Sequence, residues 1–205
     1  LELKPSRRKK GRFLLKLGDE TILRVTEDEL LRFSLRPGME LGEEELEALR
    51  ASAGASAAKA AAANIIGARA LSKKELTSRL VKKGTGQADA EAAAGWLEDI
   101  GALDDAAYAA ALVRHYASKG YGPARVREEL RRRGVDRELW DTALEELPEA
   151  EDTLDALIRK KCQGDLSDPR EKKRLSDALL RRGFSWSDVR AAMARYTDML
   201  EDDYG

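Results

Sequence analysis

Three short cationic runs, each closed by a glycine, carry the most conspicuous chemistry in the sequence: Lys82-Lys83-Gly84, Arg131-Arg132-Arg133-Gly134 and Arg181-Arg182-Gly183. Ammonium and guanidinium groups attract phosphates and carboxylates, the guanidinium as a two-pronged donor. The runs end wider basic stretches. Residues 69–83 carry Arg69, Lys73, Lys74, Arg79, Lys82 and Lys83 for a local balance of +5, and 119–133 carry Lys119, Arg125, Arg127, Arg131, Arg132 and Arg133 for +4. Residues 170–190, with Lys172, Lys173, Arg174, Arg181 and Arg182 among their bases, also balance at +4. The segments between are acidic, −6 over 89–105 and −8 over 136–155. Cations in a last helical turn also complement the helix dipole, but recurrence at one place in three stretches argues for a binding surface. Tyr121, among glycines and basic residues, joins it as a candidate stacking ring.

Bond-making chemistry has little to work with. His115 is the only histidine, so neither a histidine metal cluster nor a histidine-paired nucleophile is expected. Cys162, the only cysteine, ends an apolar stripe and reads as a small core residue. Asp104-Asp105 reads as a helix cap, and Trp96, Trp140 and Trp186 fall at apolar helical positions that suit a core. Phosphate-binding glycine loops, zinc spacings and serine elbows are lacking. The expectation is a binding protein with no catalytic residue, metal or cofactor.

The elements that position the cations follow from a repeat of about 50 residues. Gly84, Gly134 and Gly183 are separated by 50 and 49 residues. Four residues before each stand Leu80, Leu130 and Leu179, and eight before stand Leu76, Val126 and Leu175, one helical stripe written three times. Six and ten residues beyond come Ala90 and Ala94, Trp140 and Leu144, Val189 and Met193, which implies a following helix. A preceding helix is expected over about 55–70, 104–119 and 149–162, so each unit holds three. Ser72 with Glu75 reads as a capping box, Gly122-Pro123 and Asp168-Pro169 place proline at a first helical position, and each glycine suits a left-handed helix end. Single units would bury their apolar faces poorly, so stacking into an elongated, curved body is expected, with the three basic helix ends on one ridge.

Upstream, 12–17 and 21–26 read as a β-hairpin around Gly18-Asp19. A short helix over 28–33, a turn at Pro37-Gly38, an extended stretch 39–41 and a helix from Glu43 to about Ser52 complete a small α+β module. The Ala-, Ser- and Gly-rich 51–63 reads as a flexible linker merging into a helix, with the boundary near Gly54. The fold is therefore mainly α: an N-terminal α+β module over 1–53 and three-helix repeats over 54–101, 102–148 and 149–205.

Charged residues make up 37% of the chain, against roughly 25% for an average domain, so a highly solvated body is expected. Bases and acids nearly cancel at 37 to 38. The molecule as a whole should not attract nucleic acid nonspecifically, and binding must come from segregated charge. A lone cysteine gives no sign of an oxidising compartment, no run approaches the roughly 20 apolar residues of a membrane span, and the basic start has no leader-like apolar stretch after it. A cytoplasmic protein away from membranes is expected, and a monomer, since units of one chain can stack without a second copy.

Arg69-x-x-Ser72-x-x-Glu75-Leu76, Gly101-Ala102-Leu103-Asp104-Asp105-x-x-Tyr108-Ala109 and Lys119-Gly120-x-Gly122 with Arg125-Val126-x-x-Glu129-Leu130 and Gly134-Val135 together resemble the RecX family of RecA regulators. The resemblance is close over about 65–147 and looser in the third unit, where 163–168 make a longer loop. It implies tandem three-helix repeats without an enzymatic site, bound in the groove of RecA nucleoprotein filaments and limiting filament growth, strand exchange and RecA ATP hydrolysis. The cations of the middle helices would face RecA or DNA phosphates. Reversing Arg131, Arg132 and Arg133 to Glu should then weaken inhibition with helicity unchanged. A direct DNA-binding module, with 123–147 as a helix-turn-helix, and a scaffold for an unrelated protein are the alternatives.

Overall fold

A computed structural model describes residues 1–7, 10–17, 21–162 and 168–204 and divides the chain into two compact units, Leu1–Leu103 and Asp104–Gly205. The first begins with a three-stranded antiparallel sheet of β1 (Glu2–Pro5), β2 (Arg12–Leu17) and β3 (Thr21–Thr26), in the order β1-β2-β3. The expected hairpin strands are β2 and β3, while its Gly18-Asp19 turn lies outside the described residues. β1 is an addition, pairing Leu3 with Leu15. Period-two alternation puts Phe13, Leu15 and Leu17 on one face of β2, opposite Leu23 and Val25 of β3, and Leu15 and Val25 are fully buried.

Thr26 and Glu29 form a capping box at the start of α1 (Glu27–Arg32). Residues 39–41 form no strand. The helix that follows, α2 (Glu43–Ile66), corrects the expectation of a linker: 51–63 is unbroken helix, and Gly54 lies inside it. Alanine carries the highest helix propensity, and here it also lets neighbours approach closely. Leu49 and Ala53 enter the core beneath the sheet, whereas Ala58 and Ala62 pack with Leu76, Leu80, Ala90, Ala93, Ala94 and Leu97 of α3 (Lys73–Lys82) and α4 (Gln87–Asp99). One helix thus serves both the sheet module and the first repeat. It is tied to α1 by Glu29, whose buried carboxylate accepts hydrogen bonds from the hydroxyls of Ser56 (2.5 Å), Thr26 and Ser52. These bonds hold its pKa below the usual value even though burial pulls it up.

The second unit holds two repeats. The first consists of α5 (Asp105–Ser118), α6 (Pro123–Arg132), a short 3-10 helix (Arg137–Leu139) and α7 (Trp140–Leu144). The second consists of α8 (Ala150–Lys161), α9 (Pro169–Arg181) and α10 (Trp186–Tyr204). Each repeat closes a core of its own, contrary to the expectation that single units bury their faces poorly: Val113, Val126, Leu130 and Ala143 in one, Leu154, Ile158, Leu179 and Val189 in the other. The helix expected after Gly134 is cut to the five residues of α7, where the Trp140 indole N–H donates to the Val135 carbonyl at 3.0 Å. Gly84, Gly134 and Gly183 all sit at positive φ, +93°, +68° and +93°, and end their helices in the same way. In each, the next residue's amide reaches the carbonyl of Leu80, Leu130 or Leu179, a Schellman closure that glycine permits at no steric cost. Among the described residues no helix is long and apolar enough to cross a membrane.

Candidate functional site

The basic stretches become the middle helices α3, α6 and α9, and packing assigns their cations different tasks. On α3, Lys73 pairs with Glu98 at 2.6 Å, Arg79 is half-buried, and Lys74, Lys82 and Lys83 are exposed; Arg69 is exposed just ahead of the helix. On α6, Arg125 pairs with Glu128 at 2.8 Å while Arg127 and Arg131 are exposed. Arg132 and Arg133 close on Glu129, which is only 2% exposed: Arg132 Nε donates at 3.0 Å to one carboxylate oxygen and Arg133 Nε at 3.1 Å to the other. The Arg132 hydrogen bonds, with Arg133 and the Tyr116 hydroxyl, outweigh desolvation and hold the Glu129 carboxyl down at about 2. Burial and the facing Glu129 charge push the Tyr116 phenol up.

On α9 the cations separate again. Lys172, Lys173, Arg174 and Arg181 are exposed. Arg182 turns inward, its Nη1 donating to the carbonyls of Lys119 (2.7 Å) and Gly120 (3.0 Å) while its guanidinium lies 5.4 Å from the centre of the Tyr121 ring. Beside it, the Gly122 amide donates to the Arg182 carbonyl at 2.8 Å and the Ala124 amide to that of Gly183 at 3.1 Å. The C-terminal carbonyls of α9 thereby cap the N-terminal amides of α6, whose cap residue Gly122 has no side chain for the purpose. Opposite helix-dipole ends meet there. The approach demands glycine on both sides: a Cβ on Gly122 would lie 2.6 Å from the Gly183 carbonyl oxygen, and one on Gly183 would lie 2.4 Å from the Arg125 amide nitrogen.

Of the residues expected to bind, Tyr121 and Arg182 therefore belong to the junction between the two repeats, the Lys119 carbonyl accepts there, and Arg132 and Arg133 neutralise a buried acid. Trp96 and Trp140 pack against cores as expected, but Trp186 is 61% exposed at the start of α10. Arg170, absent from the sequence-derived candidates, lines a shallow depression of about 260 Å³ with Lys173, Arg174, Asp177 and Arg181. Its spacing from Arg174 and Arg181, four and eleven residues, was the available signal. Among the described residues no group of His, Cys, Asp and Glu could hold a metal ion.

Residues 104–144 match the family described as RecX, second three-helix domain, and 149–193 match RecX, third three-helix domain. Over 123 residues the chain is 37% identical to regulatory protein RecX of Xanthomonas axonopodis pv. citri, covering 59% of this chain and 76% of the relative. The chain belongs to the RecX family. Regulatory protein RecX of Stenotrophomonas maltophilia is also 37% identical, with the same coverage. The RecX fold extends well beyond the aligned helices. A crystal structure of regulatory protein RecX superposes with a TM-score of 0.72 at 22% identity, covering 94% of this chain and 97% of the other. RecX from Lactobacillus salivarius gives 0.63 at 18%, covering 72% and 99%. In this RecX-family chain the Lys-Gly-x-Gly run that supports the sequence resemblance is the socket for Arg182 and Gly183.

Proposed function

We propose that this chain binds RecA and RecA-DNA filaments in the filament groove and limits filament growth, strand exchange and RecA ATP hydrolysis. The observation that carries this is its kinship with regulatory protein RecX over the helical repeats. The geometry supports it with exposed cations on all three middle helices, notably Lys74, Lys82, Lys83, Arg127, Arg131, Lys172, Lys173, Arg174 and Arg181, suited to phosphates or acidic protein surface. Such a role needs no catalytic residue or cofactor and belongs in the cytoplasm, where RecA acts.

RecA ATP hydrolysis on single-stranded DNA, measured with and without the chain, tests the proposal. Suppression is expected, and undiminished hydrolysis at saturating chain overturns it. Because Arg132 and Arg133 hold Glu129, reversing the whole Arg131–133 run would disturb α6 itself. Arg127→Glu with Arg131→Glu is the cleaner variant and should weaken suppression at unchanged helicity. A helix-turn-helix reading of 123–147 is disfavoured, because the would-be recognition element is the short α7 with exposed Glu138, Asp141 and Glu145 around it, which phosphates would repel.

A further inference from the structure

We infer that the outward face of α9 is a contact surface for the sugar-phosphate backbone of nucleic acid, a step that rests on the binding role proposed above and commits one of its surfaces. Leu175 and Leu179 anchor α9 in its core. At about 100° per residue, Arg170, Lys173, Arg174, Asp177 and Arg181 fall on the side opposite those leucines. All five are exposed and border one depression. No ion pair joins these four cations to an acid among the described residues.

The other two middle helices differ. The face of α6 opposite its core carries Arg125, Glu128 and Arg132, with Arg131 at its edge, but there Arg125 is paired to Glu128 and Arg132 to Glu129. That of α3 carries Lys74 and Lys82 with Ser78 and the exposed Val81. A protein-binding surface is built around apolar and aromatic anchors and is poor in lysine. On the α9 strip the one flanking apolar side chain, Leu180, packs against the core, so the residues that border the depression are all charged. The strip sets four cations along about 16 Å of helix, at 1.5 Å per residue. A duplex carries one negative charge per roughly 1.7 Å of its axis, and single strands are also dense polyanions. Charge of that density is the partner that four cations around one shallow depression fit, and Arg170, Arg174 and Arg181 can each grip a phosphate with two donors. Asp177, at the middle of the strip, opposes such a partner and so offers a test of sign.

Fluorescence anisotropy of a labelled oligothymidine strand and of a labelled duplex, titrated with the full chain in the absence of RecA over a range of salt, reads this surface directly. Replacing Arg170, Lys173, Arg174 and Arg181 together by Gln should weaken binding more than about tenfold and reduce the slope of log affinity against log salt by about 3. Asp177→Asn should tighten binding severalfold, which damage to the fold would not do. Circular dichroism of each variant verifies that α9 stays helical. Unchanged affinity and slope in the four-fold variant overturn the inference, as does a wild-type chain that binds neither probe. If the variant keeps DNA binding but no longer suppresses RecA ATP hydrolysis, α9 faces protein: the inference falls while the proposed function stands. If the wild-type chain binds DNA through α9 yet leaves RecA hydrolysis untouched, the proposed function falls and the α9 surface stands.

Discussion

The C-terminal turns of α6 and α9 are spelled almost alike and work differently. Aligned on Gly134 and Gly183, Arg132 corresponds to Arg181 and Arg133 to Arg182, but Glu129 corresponds to Ala178. The buried carboxylate draws both arginines of α6 onto its own helix. Where alanine replaces it, Arg182 is released to span more than sixty residues of sequence and hold the Lys119 and Gly120 carbonyls, and Arg181 is left facing solvent. A cationic run therefore acquires its task from the acid it meets or lacks.

Breaking the junction should have the largest effect. Gly183→Val places a side chain at φ +93° and against the Arg125 backbone, and should cost about 3 kcal/mol or more in thermal or chemical unfolding. Gly84→Ala, with the same φ but open space around its Cβ, should cost only about 1 kcal/mol. Equal losses would mean that the junction adds nothing to helix closure.

Next comes the acid of α6. Glu129→Ala should cost about 2 kcal/mol by removing a buried, hydrogen-bonded carboxylate and leaving the Tyr116 hydroxyl without it. Because the native carboxyl lies at about 2 against an ordinary 4.5, its stabilisation is present above 4.5 and fades as pH falls from there toward 2. Acid unfolding followed in wild type and Glu129→Gln should show a steeper loss in the wild type across that window. Parallel curves would remove the ion pair from the stability of α6.

Ala178→Glu writes the α6 arrangement into α9. It should pull Arg181 and Arg182 onto the new carboxylate and loosen the junction by about 1 kcal/mol. Faster hydrogen exchange at the Gly122 and Ala124 amides is the expected signature, and unchanged exchange would show that Arg182 prefers the carbonyls regardless. The smallest effect belongs to Arg125→Ala. Its exposed pair with Glu128 should contribute under about 0.5 kcal/mol, detectable as a slight shift in unfolding midpoint that added salt abolishes.

Features written within a few neighbouring residues were legible in the sequence. The Ser72 and Asp104 caps, the left-handed glycines 84, 134 and 183, and the leucine stripes before them arise from hydrogen bonds and periodicities that close within one helical turn. Residue order along the chain states these almost completely. The tasks of the cations were not legible, since they depend on groups brought near by folding. Arg182 finds carbonyls more than sixty residues away in sequence, Gly122 and Gly183 must each lack a side chain because backbone of the other repeat lies against them, and α2 runs through a linker-like stretch because alanines 58 and 62 meet those of α4. Local order thus determined the repeat and the ends of its helices. Tertiary packing decided which positive charges are neutralised and which face water, because an ionic partner is chosen by distance in space and by the solvent that burial removes.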